Sequence, residues 1–201
     1  MPVRPPPSPG PDDAQVIAGS LDDPELFAGL YDRHAADIHR YTARRLGEGA
    51  ADDITAEVFL VAFRTRARYD PAQRLARPRL YGIAANLIGR HRRSEVRALK
   101  ALARTGEDHI AASWSERSDD RIAAQAPLAG ALAALSPGDR HVLLLVAWAD
   151  LGYQEVADAL GIPLGTVRSR LNRARRTVRE ALRTDPAFAS AHQELNPSWT
   201  K

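Results

Sequence analysis

The sequence predicts an all-α protein of two small helical domains joined by a flexible linker. Three observations carry this. Apolar residues recur at steps of three and four through most of the chain, the period of an amphipathic helix. No segment has the apolar–polar alternation of a half-buried strand, and no internal repeat is present. The stretch Thr105 to Asp119 (TGEDHIAASWSERSD) has no sustained period and mixed charge, so it parts the helical segments into two groups.

Met1 to Pro11 hold six prolines, which deny a regular helix its donors, so residues 1–11 are expected to be a disordered tail. A short helix is expected from Asp12. Asp23 with Pro24 forms a helix start signal, and Leu26, Phe27, Leu30, His34, Ile38, Tyr41 and Leu46 follow at helical spacing to Gly47. His34 falls on that core stripe, where a packed or hydrogen-bonded histidine is expected. Asp52 and Asp53 are expected to open the next helix, with Ile54, Val58, Val61 and Ala62 inward and Phe59, Leu60 and Phe63 widening the stripe, ending before Asp70-Pro71. Tyr69 to Pro78, with two prolines, reads as an ordered loop. A long helix is then expected from Arg79 to about Leu102, with Leu80, Ile83, Ala84 and Leu87 inward and Gly82, Ala85, Asn86, Gly89, Arg93, Arg97 and Lys100 on the far side. An interior glycine costs a helix roughly 1 kcal/mol against alanine. Such small residues suit either a bulky anion approaching the backbone or close packing of another helix. Nine basic residues against one acid, Glu95, between Arg74 and Arg104 mark a basic surface.

The second group begins near Asp120. Ser136-Pro137 is a cap for a helix to Ala149 whose Val142, Leu143, Leu145, Val146 and Trp148 make it a buried element. A helix-turn-helix follows. Gly161 can take the left-handed conformation that ends one helix, Pro163 suits the start of the next, and Ala157 is small where a bulkier side chain would hold the two apart. Leu164, Val167, Leu171, Ala174, Val178 and Leu182 form one inward stripe. The opposite side carries Gly165, Ser169, Asn172, Arg173 and Arg176, flanked by Arg168, Arg170, Arg175 and Arg179. Seven arginines against one acid, Glu180, between Arg168 and Arg183 repel one another unless an anion binds there. A helix built to lie on DNA explains turn and charge together. A solvated basic helix, or one pairing with an acidic protein, explains the charge alone.

The whole chain sets outer bounds. Its 201 residues, 44% hydrophobic and 26% charged, suit one or two globular domains. The absence of cysteine excludes disulfide scaffolds, thiolate metal sites and cysteine nucleophiles. No apolar run approaches about 18 residues and the N-terminal stretch is proline-rich, so neither a membrane span nor a signal peptide is expected, and a cytoplasmic protein is. Phosphate-cradling and dinucleotide glycine motifs are missing. The six histidines are scattered, and Ser169 has no accompanying base. No catalytic constellation, cofactor or metal site is expected, hence no enzyme.

Two basic helical surfaces joined by a linker, with an acidic helix between the first two, resemble a bacterial RNA polymerase sigma factor of the extracytoplasmic-function group, which keeps only regions two and four of larger sigma-70 factors. The resemblance is carried by LYDRH at Leu30 to His34, ADDITAEVFLVAFR at Ala51 to Arg64, RPRLYGIAANLI at Arg77 to Ile88 and LGIPLGTVRSRLNRAR at Leu160 to Arg175. It implies region two over residues 12–104, a linker at 105–119, region four over 120–183 and a C-terminal tail at 184–201. It implies an alternative sigma factor that binds core polymerase, recognises minus-35 and minus-10 elements and promotes melting; the alternative is a stand-alone helix-turn-helix regulator. Asp53, Glu57, Phe59 and Leu60 would dock on the clamp helices of the largest polymerase subunit, and the flap region of core polymerase is a further implied contact of the chain. Tyr81, Asn86, Arg90, Arg93 and Arg97 would bind the melted non-template strand at the minus-10 element. Gly165, Thr166, Arg168, Ser169, Arg170, Asn172, Arg173 and Arg176 would bind the minus-35 duplex, with Ser169, Asn172 and Arg173 at base edges and the flanking arginines on phosphates. An anti-sigma protein is a further implied partner, without membrane insertion of the chain. The sequence departs from the family at Arg79, where Trp is common, at Gly89-Arg90-His91, where an Asp is usual, and at Ala56, where Gln is usual.

Overall fold

The computed structural model describes residues 12–105, 128 and 130–184, with side chains to Ser94 in the first stretch and to Arg183 in the last. The expected tails at 1–11 and 184–201 and the expected linker at 105–119 lie outside these, except for Thr105 and Thr184. All regular structure among the described residues is helical. Packing divides the described residues into two units, the first reaching Ile88 and the second holding most of those from Gly89 on.

In the first unit, α1 spans Asp13–Gly19 behind a capping box in which the Asp12 carboxylate accepts the Gln15 N–H and the Gln15 side chain accepts the Asp12 N–H. The bond from Gln15, then the Arg74 side chain, holds the Asp12 carboxyl below its ordinary range. The expected helix from Asp23 is split. Pro24–Phe27 form a tight 3-10 turn because Asp23 Oδ1 accepts the Glu25 N–H, and α2 runs over Ala28–Leu46. His34 is hydrogen-bonded, its Nε2 lying 2.9 Å from Asp13 Oδ2.

The expected start of the next helix at Asp52 is corrected to Glu48: α3 spans Glu48–Arg64. Gly47, at φ 82°, reverses the chain in a single residue, and Glu48 supplies the acid of the first turn. Asp52 and Asp53 therefore stand one turn inside the helix. α2 and α3 meet through edge-on aromatic pairs, Phe27 with Phe63 at 5.2 Å and Tyr31 with Phe59 at 4.8 Å. The buried Thr42 and Thr55 hydroxyls bond across the same contact at 3.1 Å. After a short 3-10 turn at Arg66–Arg68, residues 69–76 form the loop, and α4 runs over Arg77–Thr105, two residues earlier than Arg79 because Pro78 fits the first turn. Its buried arc takes in Leu80, Tyr81, Ala84, Ala85 and Ile88, turned from the expected stripe, whose Ile83 and Leu87 are only half-buried. Gly82 and Ala85 are buried, not on the open face expected for them.

Arg79 is turned into the loop. Its Nη2 donates to Thr65 O at 2.8 Å and Thr65 Oγ1 at 2.7 Å, and its guanidinium lies 5.6 Å from the Tyr69 ring. The Tyr69 hydroxyl donates to Gln73 O at 2.6 Å, and burial, reinforced by Asp13, pushes its phenol up to about 12.

In the second unit, helical backbone at 130–133 leads to Ser136, whose Oγ accepts the Asp139 N–H at the head of α5, Pro137–Trp148. Helix α6, Tyr153–Leu160, and α7, Leu164–Thr184, complete it. α5 packs on α7 with Val142, Leu144 and Leu145 buried against an α7 face whose Val167, Leu171 and Ala174 are 0–1% exposed. Leu143, Val146 and Trp148 are only half-buried.

Leu171→Ala should lower stability by about 2 to 5 kcal/mol in urea denaturation, whereas Arg168→Ala on the open side of the same helix should stay within about 0.5 kcal/mol. Because the folded Tyr69 phenol keeps its proton above the ordinary value of 10.0, up to about 12, stability is unaffected by it below that ordinary value and falls as pH rises through the window between the two. The thermal midpoint of Tyr69→Phe should accordingly fall less steeply than that of the wild type in that window.

Candidate nucleic-acid interface

The corner between α6 and α7 is built as its residue types require. Gly161 adopts φ 61°, and the Ile162 N–H returns to Ala157 O at 3.1 Å, closing α6. Pro163 O accepts the Thr166 N–H at 2.8 Å and the Val167 N–H at 3.1 Å, opening α7. Val156 and Ala157 are buried beneath the corner. At the other end of α6, Glu155 Oε2 accepts the Gly152 N–H at 2.7 Å.

With Val167, Leu171 and Ala174 inward, the opposite side of α7 is fixed. Gly165, Arg168, Ser169, Asn172, Arg173, Arg175, Arg176 and Arg179 are exposed, and Thr166 and Arg170 are half-buried. The Ser169 hydroxyl donates to Thr166 O at 3.0 Å, which leaves its oxygen able to accept. Arg170 lies over the start of α5, where a side chain at Gly138 would meet its guanidinium at 2.8 Å.

Sequence reasoning missed Asp139. Its carboxylate, 7% exposed, accepts from Arg173 Nε at 2.9 Å, while the Arg173 side chain is 54% exposed. The bond occupies Nε and leaves the two Nη groups as the fork that can approach a base edge or a phosphate. A signal existed in Ser136-Pro137-Gly138-Asp139, a cap followed three residues later by an acid, but that spacing foretells a helix start and not a partner 34 residues on.

Helix α4 carries a second basic surface. Asn86, Arg90 and Arg93 are exposed on α4, and the side chain of Arg97 lies outside the described residues. Tyr81 is a correction: it is 3% exposed, its ring 5.2 Å from Tyr41 and nearly perpendicular to it, and burial raises its phenol. One residue off the exposed position, it packs in the core. On α3, Asp53 is exposed, Glu57 is half-buried and Leu60 is 39% exposed. Phe59 is a second correction, because it is 5% exposed beneath Tyr31; Tyr31, 49% exposed, is the aromatic that reaches the surface there. Among the described residues no helix is long and apolar enough to cross a membrane.

Residues 30–98 match the family model of sigma-70 region 2, and residues 125–178 that of sigma-70 region 4. The extracytoplasmic-function sigma factor SigL of Mycobacterium tuberculosis is 31% identical over 170 residues, covering 84% of this chain and 96% of the relative. The RNA polymerase sigma factor CarQ of Myxococcus xanthus is 31% identical over 159 residues, 79% of this chain and 90% of the relative. Two solved structures share the fold. CnrH, solved with the cytosolic domain of CnrY, has a TM-score of 0.61 at 23% identity over 86% of this chain and 98% of that one. RpoE of Bartonella quintana, solved with the anti-sigma factor NepR, has a TM-score of 0.57 at 19% identity over 79% of this chain and 98% of that one. A stand-alone regulator would need only the helix-turn-helix, and the match over residues 30–98 sets that alternative aside. The chain belongs to the extracytoplasmic-function group of the sigma-70 family, the alternative sigma factors that direct RNA polymerase to promoters.

Proposed function

We propose that the two basic surfaces divide promoter recognition between them. α7 reads the minus-35 duplex in the major groove, with Ser169, Asn172 and Arg173 at base edges and Arg168, Arg175 and Arg176 on phosphates. The observation that carries this is the division of α7 itself, in which Val167, Leu171 and Ala174 are buried and every one of those six side chains is exposed. Gly165, Thr166 and the half-buried Arg170 lie nearer the corner and fit backbone approach and a phosphate.

Loop 69–76 and α4 receive the melted non-template strand at the minus-10 element, with Asn86 beside the captured base and Arg90, Arg93 and Arg97 along the backbone. Asp53, Glu57 and the exposed Leu60 face core polymerase with complementary charge and an apolar contact, to which Tyr31 adds the surface aromatic in place of Phe59. The domain limits follow the same division: 12–104 for the first module, 105–119 for the connection, 120–183 for the second. The protein acts in the cytoplasm with polymerase, without an enzymatic step of its own. An anti-sigma protein is its further partner; RpoE of Bartonella quintana, similar in fold, was solved with one.

Run-off transcription with core polymerase, on templates chosen by mapping transcript starts after overproduction, tests this. Promoter-dependent transcripts are expected, and their absence from every template would overturn it. Arg173→Ala should cost roughly 1 to 3 kcal/mol of minus-35 binding and relax selectivity at one base pair, read by fluorescence anisotropy on duplexes varied singly. An equal loss on all duplexes would make Arg173 a phosphate contact. Arg176→Ala should reduce the salt slope of binding by about one unit; an unchanged slope would remove Arg176 from the phosphate set.

A further inference from the structure

Loop 69–76 is gripped at both ends by the same short helix. At its approach, Arg66 Nε donates to Ser20 O, the C-cap of α1, at 3.2 Å. At its exit, the Ala76 N–H donates to Asp13 Oδ2 at 2.8 Å, across 63 residues of sequence. Just before it, Arg74 Nε reaches Asp12 Oδ2 at 3.1 Å. Asp13 is itself fixed: it is 5% exposed and also receives Arg33 Nη1 at 3.2 Å and His34 Nε2 at 2.9 Å from α2.

A buried carboxylate is stable only when its acceptor sites are filled. Here two donors come from the rigid helix pair and one from the loop backbone, so loop shape and carboxylate satisfaction are one condition. Within the loop, the Tyr69 hydroxyl donates to Gln73 O, and Arg79 on α4 donates to Thr65 at the end of α3. The tip meanwhile faces solvent, with Asp70, Pro71, Ala72, Arg74 and Leu75 exposed, Leu75 at 54%. A loop free to wander would lose conformational entropy on each capture of a base, and tethers that order it beforehand reduce that loss.

We propose that α1 is a positioning element for promoter opening: Asp13, through the Ala76 N–H, and Asp12, through Arg74, set the loop in the shape that accepts the unstacked base. This rests on the assignment of loop 69–76 to the minus-10 element. Asp13 is a positioning residue, because it is buried and acts on DNA only through the loop backbone. Asp12 lies at the surface and acts on the one loop arginine it pairs with.

The test uses the full chain assembled with core polymerase and a fluorescent single-stranded oligonucleotide carrying the mapped minus-10 sequence of the non-template strand, together with versions altered one base at a time. Asp13→Ala should weaken binding of the preferred oligonucleotide about tenfold, the scale of one good polar contact to a base, while altered oligonucleotides change little, so that base preference flattens. Affinity for core polymerase and for a minus-35 duplex should remain within about twofold. Asp12→Ser retains an acceptor for the Gln15 N–H at the cap but removes the carboxylate from Arg74. It should shift preference in the same direction by less, with an unchanged melting temperature, and it decides the matter alone if Asp13→Ala fails to fold. Unaltered base preference in Asp12→Ser and in a folded Asp13→Ala, or an equal loss on every oligonucleotide, would overturn the proposal. Absence of any base preference in the wild-type holoenzyme would instead bring down the loop assignment itself, and this proposal with it.

Discussion

Like charge crowded on one side of α7 is held against its own repulsion by packing on the other. Seven arginines lie between Arg168 and Arg183 with Glu180 as the one acid among them, and a helix so charged, alone in water, would gain by fraying. Val167, Leu171 and Ala174, at 0–1% exposure against α5, prevent it. The charge that destabilises the free protein is the charge that displaces counterions from DNA, so repulsion stored in folding is relieved in binding. The rest of the second unit is arranged around this need. α5 is strongly apolar because it is the surface on which α7 leans, and the Gly161–Pro163 corner sets the angle at which the charged side is offered.

The first unit solves a different problem, since it must present a shaped loop as well as a charged surface. Three edge-on ring pairs, Phe27–Phe63, Tyr31–Phe59 and Tyr41–Tyr81, index α2 against α3 and α4. Such pairs tolerate little sliding, because each ring edge addresses a particular ring face. On that frame the polar bonds of Asp13, Arg79 and Tyr69 order a segment that has no helical bonds of its own. Arg79 spans from α4 to Thr65 at the end of α3.

Much of this was legible in the sequence, and the remainder was hidden for physical reasons. The helix-turn-helix corner could be read because its determinants are local: a glycine takes φ 61° and a proline opens a helix through their own covalent geometry. The helical stripes of α2 and α7 could be read because period is a property of a single segment. The start of α3 could not, since aspartates resemble a helix start wherever they cluster, while the actual reversal is made by the one residue Gly47. Phe59 and Tyr81 were assigned surface roles from family position, which fixes register along the chain but not which way a ring faces. The bonds from Asp13 to Ala76 and from Asp139 to Arg173 join residues 63 and 34 apart and carry no periodic trace in either segment.

The pairing of Arg173 with Asp139 also bears on how promoter preference can diverge. Ser169 and Asn172 lie in solvent on α7, and replacing either alters the DNA-facing edge without disturbing the core. Replacing Arg173 also leaves the Asp139 carboxylate without the Nε donor, so that change carries a folding cost that those at Ser169 and Asn172 do not. On the proposed assignment, recognition has two kinds of position, Ser169 and Asn172 that change at no cost to the core and Arg173 whose change also unsettles Asp139. A family of such factors would be expected to explore new minus-35 sequences through the first long before the second.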